Sequence, residues 1–253
     1  MNSFIKWIGG KRLLRKKILE EFPDKSGYDR YIEVFGGAGW VLFAKEPGGM
    51  EVYNDANGEL ANLFRIVKYH PEALQKELQF TLNSFEQFHD WKDQLQVQGT
   101  TDVQRAARFY VVIRYSYGAN LKDYSGRELN IKKGIEYIGE ISERLNKVII
   151  ENKDFERILK VYDRKDALFY LDPPYHGTEK YYQAQFADAD HERLFRSLSE
   201  IKGKFILSYN NDNFIKELYK DFKISPVSRR NGLLERYDLP EKMDYKELII
   251  KNY

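Results

Sequence analysis

The chain has 253 residues, 42% of them hydrophobic and 32% charged, with a formal net charge of +2. That length allows one large α/β domain or a core domain with an insertion. The absence of cysteine excludes disulfides, a thiolate nucleophile and a cysteine-based zinc site.

His70, His89, His176 and His191 are scattered without metal-ligand spacing, so no metal is expected. No apolar stretch approaches a membrane span, and MNSFIKWIGGKR lacks an apolar signal core, which together predict a cytoplasmic protein with no membrane partner.

In chain order, the first motif is Phe4-Ile5-Lys6-Trp7-Ile8-Gly9-Gly10-Lys11, a glycine turn before a helix. Trp7 and Lys11 stand where a ring could stack on a ligand and a cation neutralise its carboxylate. A core plug is the alternative for Trp7.

The strand-like run Tyr31–Phe35 then leads into Gly36-Gly37-Ala38-Gly39-Trp40 and a helix start. Glycines allow close backbone approach, and N–H groups at a helix start favour a carboxylate or phosphate. At the end of the next run, Met50–Asn54, stands Asp55, about 20 residues on, where an acid accepts hydrogen bonds from ribose hydroxyls. Loop and acid imply an adenosine-containing ligand; the alternative is a tight turn with Asp55 capping a helix near Ala56. Neither the dinucleotide fingerprint nor a P-loop is present.

Helical periodicity follows in Leu60, Leu63, Phe64 and Val67, then in Phe85, Phe88, Trp91 and Leu95, and again in Ile138, Ile141 and Leu145. Residues 71–134 break the strand–helix rhythm and read as an insertion of two or three helices and a turn-rich segment, with Ser125-Gly126 suggesting a hairpin tip. Between Arg105 and Lys133, seven bases face two acids, a surplus of five; with +2 overall, the remainder carries −3. Tyr110, Tyr115, Tyr117 and Tyr124 are interleaved. Such a mixture suits nucleic acid, with charge for phosphates and rings for bases. A solvated helix and hairpin is the alternative.

Further strand-like runs are Lys147–Glu151, Ala167–Leu171, Lys204–Tyr209, Phe222–Val227 and Lys246–Asn252. Seven strands alternating with helices predict an α/β, doubly wound, seven-stranded, mostly parallel sheet. The run Ala167–Leu171 closes on Asp172-Pro173-Pro174-Tyr175. Two prolines cannot continue a ladder, so this corner leaves the sheet at the carboxyl edge, where ligands sit. A carboxylate, a bare carbonyl and a ring placed there suit a flat, amino-bearing ring.

Taken together, these motifs resemble the adenine-specific DNA N6-methyltransferases of the Dam-like, D12 class. The matches run in family order: Lys6–Lys11, Glu33–Gly39, Asn54-Asp55, the basic insertion, Asp154-Phe155, Asp172–Tyr175, Phe205–Asn210 and Glu247–Ile250. Val34 departs from the proline common in relatives.

The resemblance implies a class I methyltransferase (Rossmann-like) fold, S-adenosylmethionine as methyl donor and double-stranded DNA as partner. It assigns residues 1–70 and 135–253 to the donor-binding catalytic domain and 71–134 to target recognition. Trp7, Lys11, Phe35, Gly36, Gly37, Gly39, Asp55, Asp154, Phe155 and Asp172 would line the donor site, with Asp154 accepting from the donor's adenine amino group and Phe155 on its ring. Asp172, Pro173 and Tyr175 would be catalytic, the first two accepting from N6–H of a flipped adenine and Tyr175 stacking on it.

Asn120, Lys122, Tyr124 and Arg127 are the candidates for reading bases. Arg105, Arg108, Lys133 and the pair Arg229-Arg230 are candidates for phosphates, and the aromatic-rich segment from Tyr181 and Tyr182 to Phe186 for closure over the base, with a surface loop before a helix near Asp190 as the alternative. A monomer or weak dimer of prokaryotic or phage origin is expected. The rival readings are an N4-cytosine methyltransferase, an RNA or protein-glutamine amino methyltransferase, and a DNA-binding relative without catalysis.

Overall fold

The computed structural model describes residues 1–128, 130–177, 186–230 and 244–253; at 229, 230, 244 and 245 only the backbone is described. Its sheet comprises β1 (Arg30–Glu33), β2 (Met50–Asn54), β3 (Val148–Glu151), β4 (Ala167–Leu171), β5 (Lys204–Asn210), β6 (Lys223–Arg230) and β7 (Asp244–Lys251). The strand order is β3-β2-β1-β4-β5-β7-β6, with β7 antiparallel to both neighbours and the other pairs parallel. All seven expected strands are present, and the class I methyltransferase sheet is confirmed. Pro226 falls in the edge strand β6, where a missing N–H is tolerated.

Helices cover both faces. α1 (Arg15–Glu20), α2 (Trp40–Ala44), α3 (Gly58–Tyr69), α4 (Pro71–Leu78), α5 (Phe85–Gln94), α6 (Asp102–Tyr115) and α7 (Ile131–Leu145) lead into β3; α8 (Phe155–Tyr162), α9 (Asp188–Ser199) and α10 (Asn213–Leu218) follow. The pleat sends Leu168 and Tyr170 of β4 into the core shared with α3, α6 and α7. Phe169 and Leu171 go into the core shared with α8, α9 and α10. This two-sided burial is why β4 reads as an unbroken apolar run.

The helices of 71–134 are not set apart from the sheet domain. α6 packs on α3, α4 and α5, and its Tyr110 stacks on Phe4. α7 runs across residue 134, fastened near its end by Arg144, which reaches Glu51 of β2 at 2.7 and 2.9 Å and the Leu42 carbonyl at 2.8 Å. Beyond α6 the chain turns back: the Tyr117 N–H donates to Asp123 O at 2.7 Å and the Ser125 N–H to Tyr115 O at 2.8 Å. The tip of this hairpin therefore falls at 118–121 rather than at Ser125-Gly126. The reason is local, since Asn120 Oδ1 accepts from the Lys122 and Asp123 N–H groups at 2.9 and 3.1 Å, closing the turn with a side chain.

Candidate active site

The parallel register sets Glu33 of β1 beside Tyr170 of β4. Two residues further along each strand, Phe35 and Asp172 emerge at the same carboxyl edge, between strands whose connections leave in opposite directions. Asn54 of β2 ties this edge together. Its Nδ2 donates to Val34 O at 2.8 Å and Lys153 O at 3.0 Å, and its Oδ1 accepts from the Lys153 N–H at 2.9 Å. The loops after β1, β2 and β3 are thus locked to one side chain.

The glycine turn is shaped by contact rather than by flexibility. A Cβ at Gly36 would lie 2.2 Å from the Tyr53 ring, and that ring is held by stacking on Phe64 and by a 2.7 Å bond from its hydroxyl to Gly37 O. Gly37 has φ +50° and turns its N–H to Asp55 Oδ2 at 2.8 Å. The Gly39 N–H closes the turn on Gly36 O at 2.7 Å.

Asp55 does not cap α3. That task falls to Asn57, whose Oδ1 accepts from the Glu59 and Leu60 N–H groups. The Asp55 carboxylate instead bridges Gly37 and the Asn57 N–H, each at 2.8 Å. Burial pushes its pKa up to about 6, against the lowering effect of those two bonds.

The start of α2 is less open to an anion than the sequence suggests. Its Leu42 N–H is taken at 2.7 Å by Glu33, which also accepts from the Tyr31 hydroxyl at 2.7 Å. Glu33 is 2% exposed, and burial raises its pKa to about 8, opposed by those hydrogen bonds.

The end of β3 brings an aromatic wall. Phe155 packs 5.7 Å from Phe35 and 5.9 Å from Phe186. Asp154 caps α8 through the Glu156 N–H and pairs with Arg193 at 3.0 Å, while that guanidinium lies 4.2 Å from the Phe155 ring centre.

At the end of β4, Lys11 takes a different part from the one expected. Its Nζ lies 2.6 and 2.8 Å from the two oxygens of Asp172, 3.1 Å from Gly9 O and 3.6 Å from Glu247. The Lys11 side chain is 5% exposed and balances the buried Glu247 and the half-buried Asp172. Tyr175 is also turned inward: its hydroxyl donates to Glu247 at 2.6 Å and its ring packs 6.1 Å from Tyr209. In this structure, Pro174, not Tyr175, borders the open space.

That space is a cavity of about 330 Å³ that joins the motifs. Trp7, Lys11, Phe35, Gly36, Gly37, Asp55, Asp154, Phe155 and Asp172 all line it, as do Asn120 and Lys122 from the hairpin tip. Trp7 rests 5.9 Å from Phe109 of α6.

The remaining nucleic-acid candidates divide by their partners. Arg105 pairs with Glu59 and Asp102, and Arg108 bonds Gln94 and lies over Trp91, so both fasten α6 to its neighbours. The Tyr124 hydroxyl donates to Asn83 at 2.6 Å. Arg127 and Lys133 are exposed, Arg127 lying 5.8 Å from the Tyr117 ring centre. Tyr181 and Tyr182 and the side chains of Arg229 and Arg230 lie outside the described residues.

Sequence reasoning missed Glu33, Glu247 and Arg193 as site residues, and took Phe186 only as the end of an aromatic segment closing over the base. An acid inside the apolar runs Tyr31–Phe35 and Glu247–Ile250 was the available signal for the first two. Nothing local distinguishes Arg193.

The sequence matches the D12 class N6 adenine-specific DNA methyltransferase family over residues 7–233. It is 31% identical over 286 residues to the Type II methyltransferase M1.LlaDCHI of Lactococcus lactis subsp. cremoris, covering 100% of this chain and 96% of that protein. It is 28% identical over 290 residues to the Type II methyltransferase M.MjaIII of Methanocaldococcus jannaschii, covering 100% and 99%. Identity to the DNA adenine methylase of Haemophilus influenzae is 27% over 272 residues, covering 97% and 92%.

Proposed function

Since the chain belongs to the D12 class N6 adenine-specific DNA methyltransferases, we propose that it moves a methyl group from S-adenosylmethionine to N6 of a chosen adenine turned out of duplex DNA. The observation that carries this reading is the single cavity joining the Gly37–Asp55 pair to Asp172. The residues fit the donor. Asp55 is a half-buried carboxylate with both oxygens oriented by backbone N–H groups, suited to ribose hydroxyls. Phe35, Phe155 and Phe186 form an apolar slot for a purine, with Asp154 at its rim for the amino group. Gly36 and Gly37 border the cavity next to Trp7, the place this reading gives to the amino-acid portion.

S-adenosylmethionine supplies an activated methyl group on a positively charged sulfur. The chain's own task is to present the nucleophile. The lone pair of an adenine amino group is delocalised into the ring, so acceptors at its N–H bonds favour a pyramidal nitrogen. Asp172 and the Pro173 carbonyl supply them at a rigid corner, and their attraction grows as positive charge develops on N6. Lys11 positions the Asp172 carboxylate, and Tyr175 holds the corner through Glu247. Stacking of Tyr175 on the base requires its ring to be uncovered when DNA binds. Tyr181 and Tyr182 are proposed to close over the base.

Residues 71–134 form the recognition unit in this reading. Asn120, Lys122, Tyr124 and Arg127 meet bases, Lys133 meets a phosphate, and Arg105 and Arg108 reach phosphates only from the edges of their internal pairs. The Type II designation of two relatives supports a site-specific enzyme companion to a restriction nuclease.

Asp172→Ala tests the assignment. Methyl transfer falls by about 10²–10³-fold or more, while duplex affinity stays near wild type. A variant that transfers at the wild-type rate contradicts it.

A further inference from the structure

Three of the most exposed large apolar side chains among the described residues crowd into one short turn between α4 and α5. Phe80 is 67% exposed, Leu82 64% and Phe85 62%. Single exposed apolar residues need no explanation, but a cluster marks a surface that is covered in use.

The turn is built to hold them outward. Gln87 folds back so that its Oε1 accepts from the Leu82 N–H at 2.6 Å and its Nε2 donates to Phe80 O at 3.3 Å, and Ser84 Oγ accepts from the Gln87 N–H at 3.1 Å. With these backbone groups satisfied, the side chains are presented on a fixed frame.

The turn is also continuous with the hairpin. Asn83 accepts from the Tyr124 hydroxyl at 2.6 Å and donates from Nδ2 to Arg127 O at 3.2 Å, and the Phe85 ring meets Tyr124 edge-on at 6.0 Å. Exposed Tyr117, with Arg127 beside its ring, lies on the same hairpin.

We propose that the turn 80–85 is a second DNA-contacting element, an apolar wedge that Phe80, Leu82 and Phe85 press against bases or sugars of the duplex beside the site read by the hairpin. This rests on the DNA methyltransferase reading and adds a contact that none of the motifs supplies. The stretch Phe80–Gln87 contains no lysine or arginine and carries the acid Glu86, so it has nothing to offer a phosphate. Its chemistry matches the stacked interior of DNA. Apolar side chains inserted at a base step loosen stacking and bend the duplex, which offsets part of the cost of turning a base out. The neighbouring basic hairpin brings the duplex to it, and the two hydrogen bonds of Asn83 fix their relative placement.

The test uses the full chain with Phe80, Leu82 and Phe85 all changed to alanine. Duplex affinity is measured by fluorescence anisotropy at several salt concentrations, and base extrusion by 2-aminopurine at the target. Exposed positions keep the fold intact on substitution, which unchanged donor affinity and melting temperature verify.

The expected result is a loss of duplex affinity of about tenfold or more that is equal at every salt concentration, with a weaker 2-aminopurine signal. Apolar contacts release no counterions, so the salt slope stays at its wild-type value. Wild-type affinity and extrusion in the variant overturn the wedge while leaving the methyltransferase reading standing. Failure of the wild-type chain itself to bind duplex DNA overturns that reading instead. A wild-type dimer that the variant dissociates, with DNA affinity unchanged, assigns the patch to a second copy and also overturns the proposal. Phe80→Trp gives an independent readout against the wild-type signal of Trp7, Trp40 and Trp91: the fluorescence it adds over the wild type is quenched by duplex DNA if the ring meets bases and is unmoved if it does not.

Discussion

Two carboxyl groups at the cavity have pKa values displaced by burial, and each has a distinct consequence. Asp55, raised to about 6, is mostly ionised at neutral pH and gains a proton as pH falls through that value. A protonated Asp55 loses one acceptor site for ribose hydroxyls. Donor affinity therefore weakens below about pH 6 in the wild type, and calorimetric titration across pH 5–8 reads this directly. Asp55→Ala is expected to bind the donor at least about tenfold more weakly at neutral pH, since a buried hydrogen-bond partner of a charged group contributes roughly 1.5–3 kcal/mol. Unchanged affinity in that variant removes Asp55 from the donor site.

Glu33 acts on stability. Its folded-state pKa of about 8 exceeds the ordinary value of 4.5, so between those values the folded chain holds a proton that the unfolded chain releases. Stability from this group is complete below about pH 4.5 and declines as pH rises towards 8, by up to about 1.4 kcal/mol per pH unit. Glu33→Gln keeps an oxygen for the Tyr31 hydroxyl and the Leu42 N–H while removing the ionisation. The variant should gain on the wild type steadily from pH 4.5 to 8 in thermal melts. A stability difference that is flat with pH contradicts this.

At the scale of elements, the hairpin after α6 and the start of α7 are proposed to divide two kinds of DNA contact. Arg127→Ala changes which sites are methylated, since a guanidinium reading a base edge carries about 1–3 kcal/mol of discrimination. Lys133→Ala weakens binding evenly across sequences and lowers the salt slope by about one phosphate contact. Sequencing of methylated DNA separates the two, and an unaltered site profile in Arg127→Ala returns that residue to the protein surface.

Elements were largely legible in the chain itself. The seven strands announce themselves as short apolar runs because most are buried on both faces, and the turn after β4 is announced by two prolines. What was not legible is pairing across distance. Lys11 carries no local sign that its ammonium meets Asp172, 161 residues away. Its placement beside a glycine turn pointed instead to a ligand carboxylate. Likewise, Tyr175 reads as a ring at a strand end, and only the arrival of Glu247 on β7 explains why its ring is turned inward. The hairpin tip was misplaced because Ser125-Gly126 has turn composition, whereas the side chain of Asn120 closes the actual turn.

Across the whole molecule, the parallel sheet brings four separate motifs to one edge. The Trp7–Lys11 turn, the Gly36 loop, Asp55 and Asp172 are spread over 166 residues yet border one cavity of about 330 Å³. The recognition segment is joined to this centre by α6 and α7, which share the core beneath it. Asn120 and Lys122 reach the same cavity wall, so the hairpin tip proposed to read DNA borders the proposed donor site. The most direct measurement incubates the protein with methyl-labelled S-adenosylmethionine and duplex DNA of mixed sequence, then separates the nucleosides. The structure and family predict label in N6-methyladenine; label in N4-methylcytosine, or no label in DNA, contradicts the account.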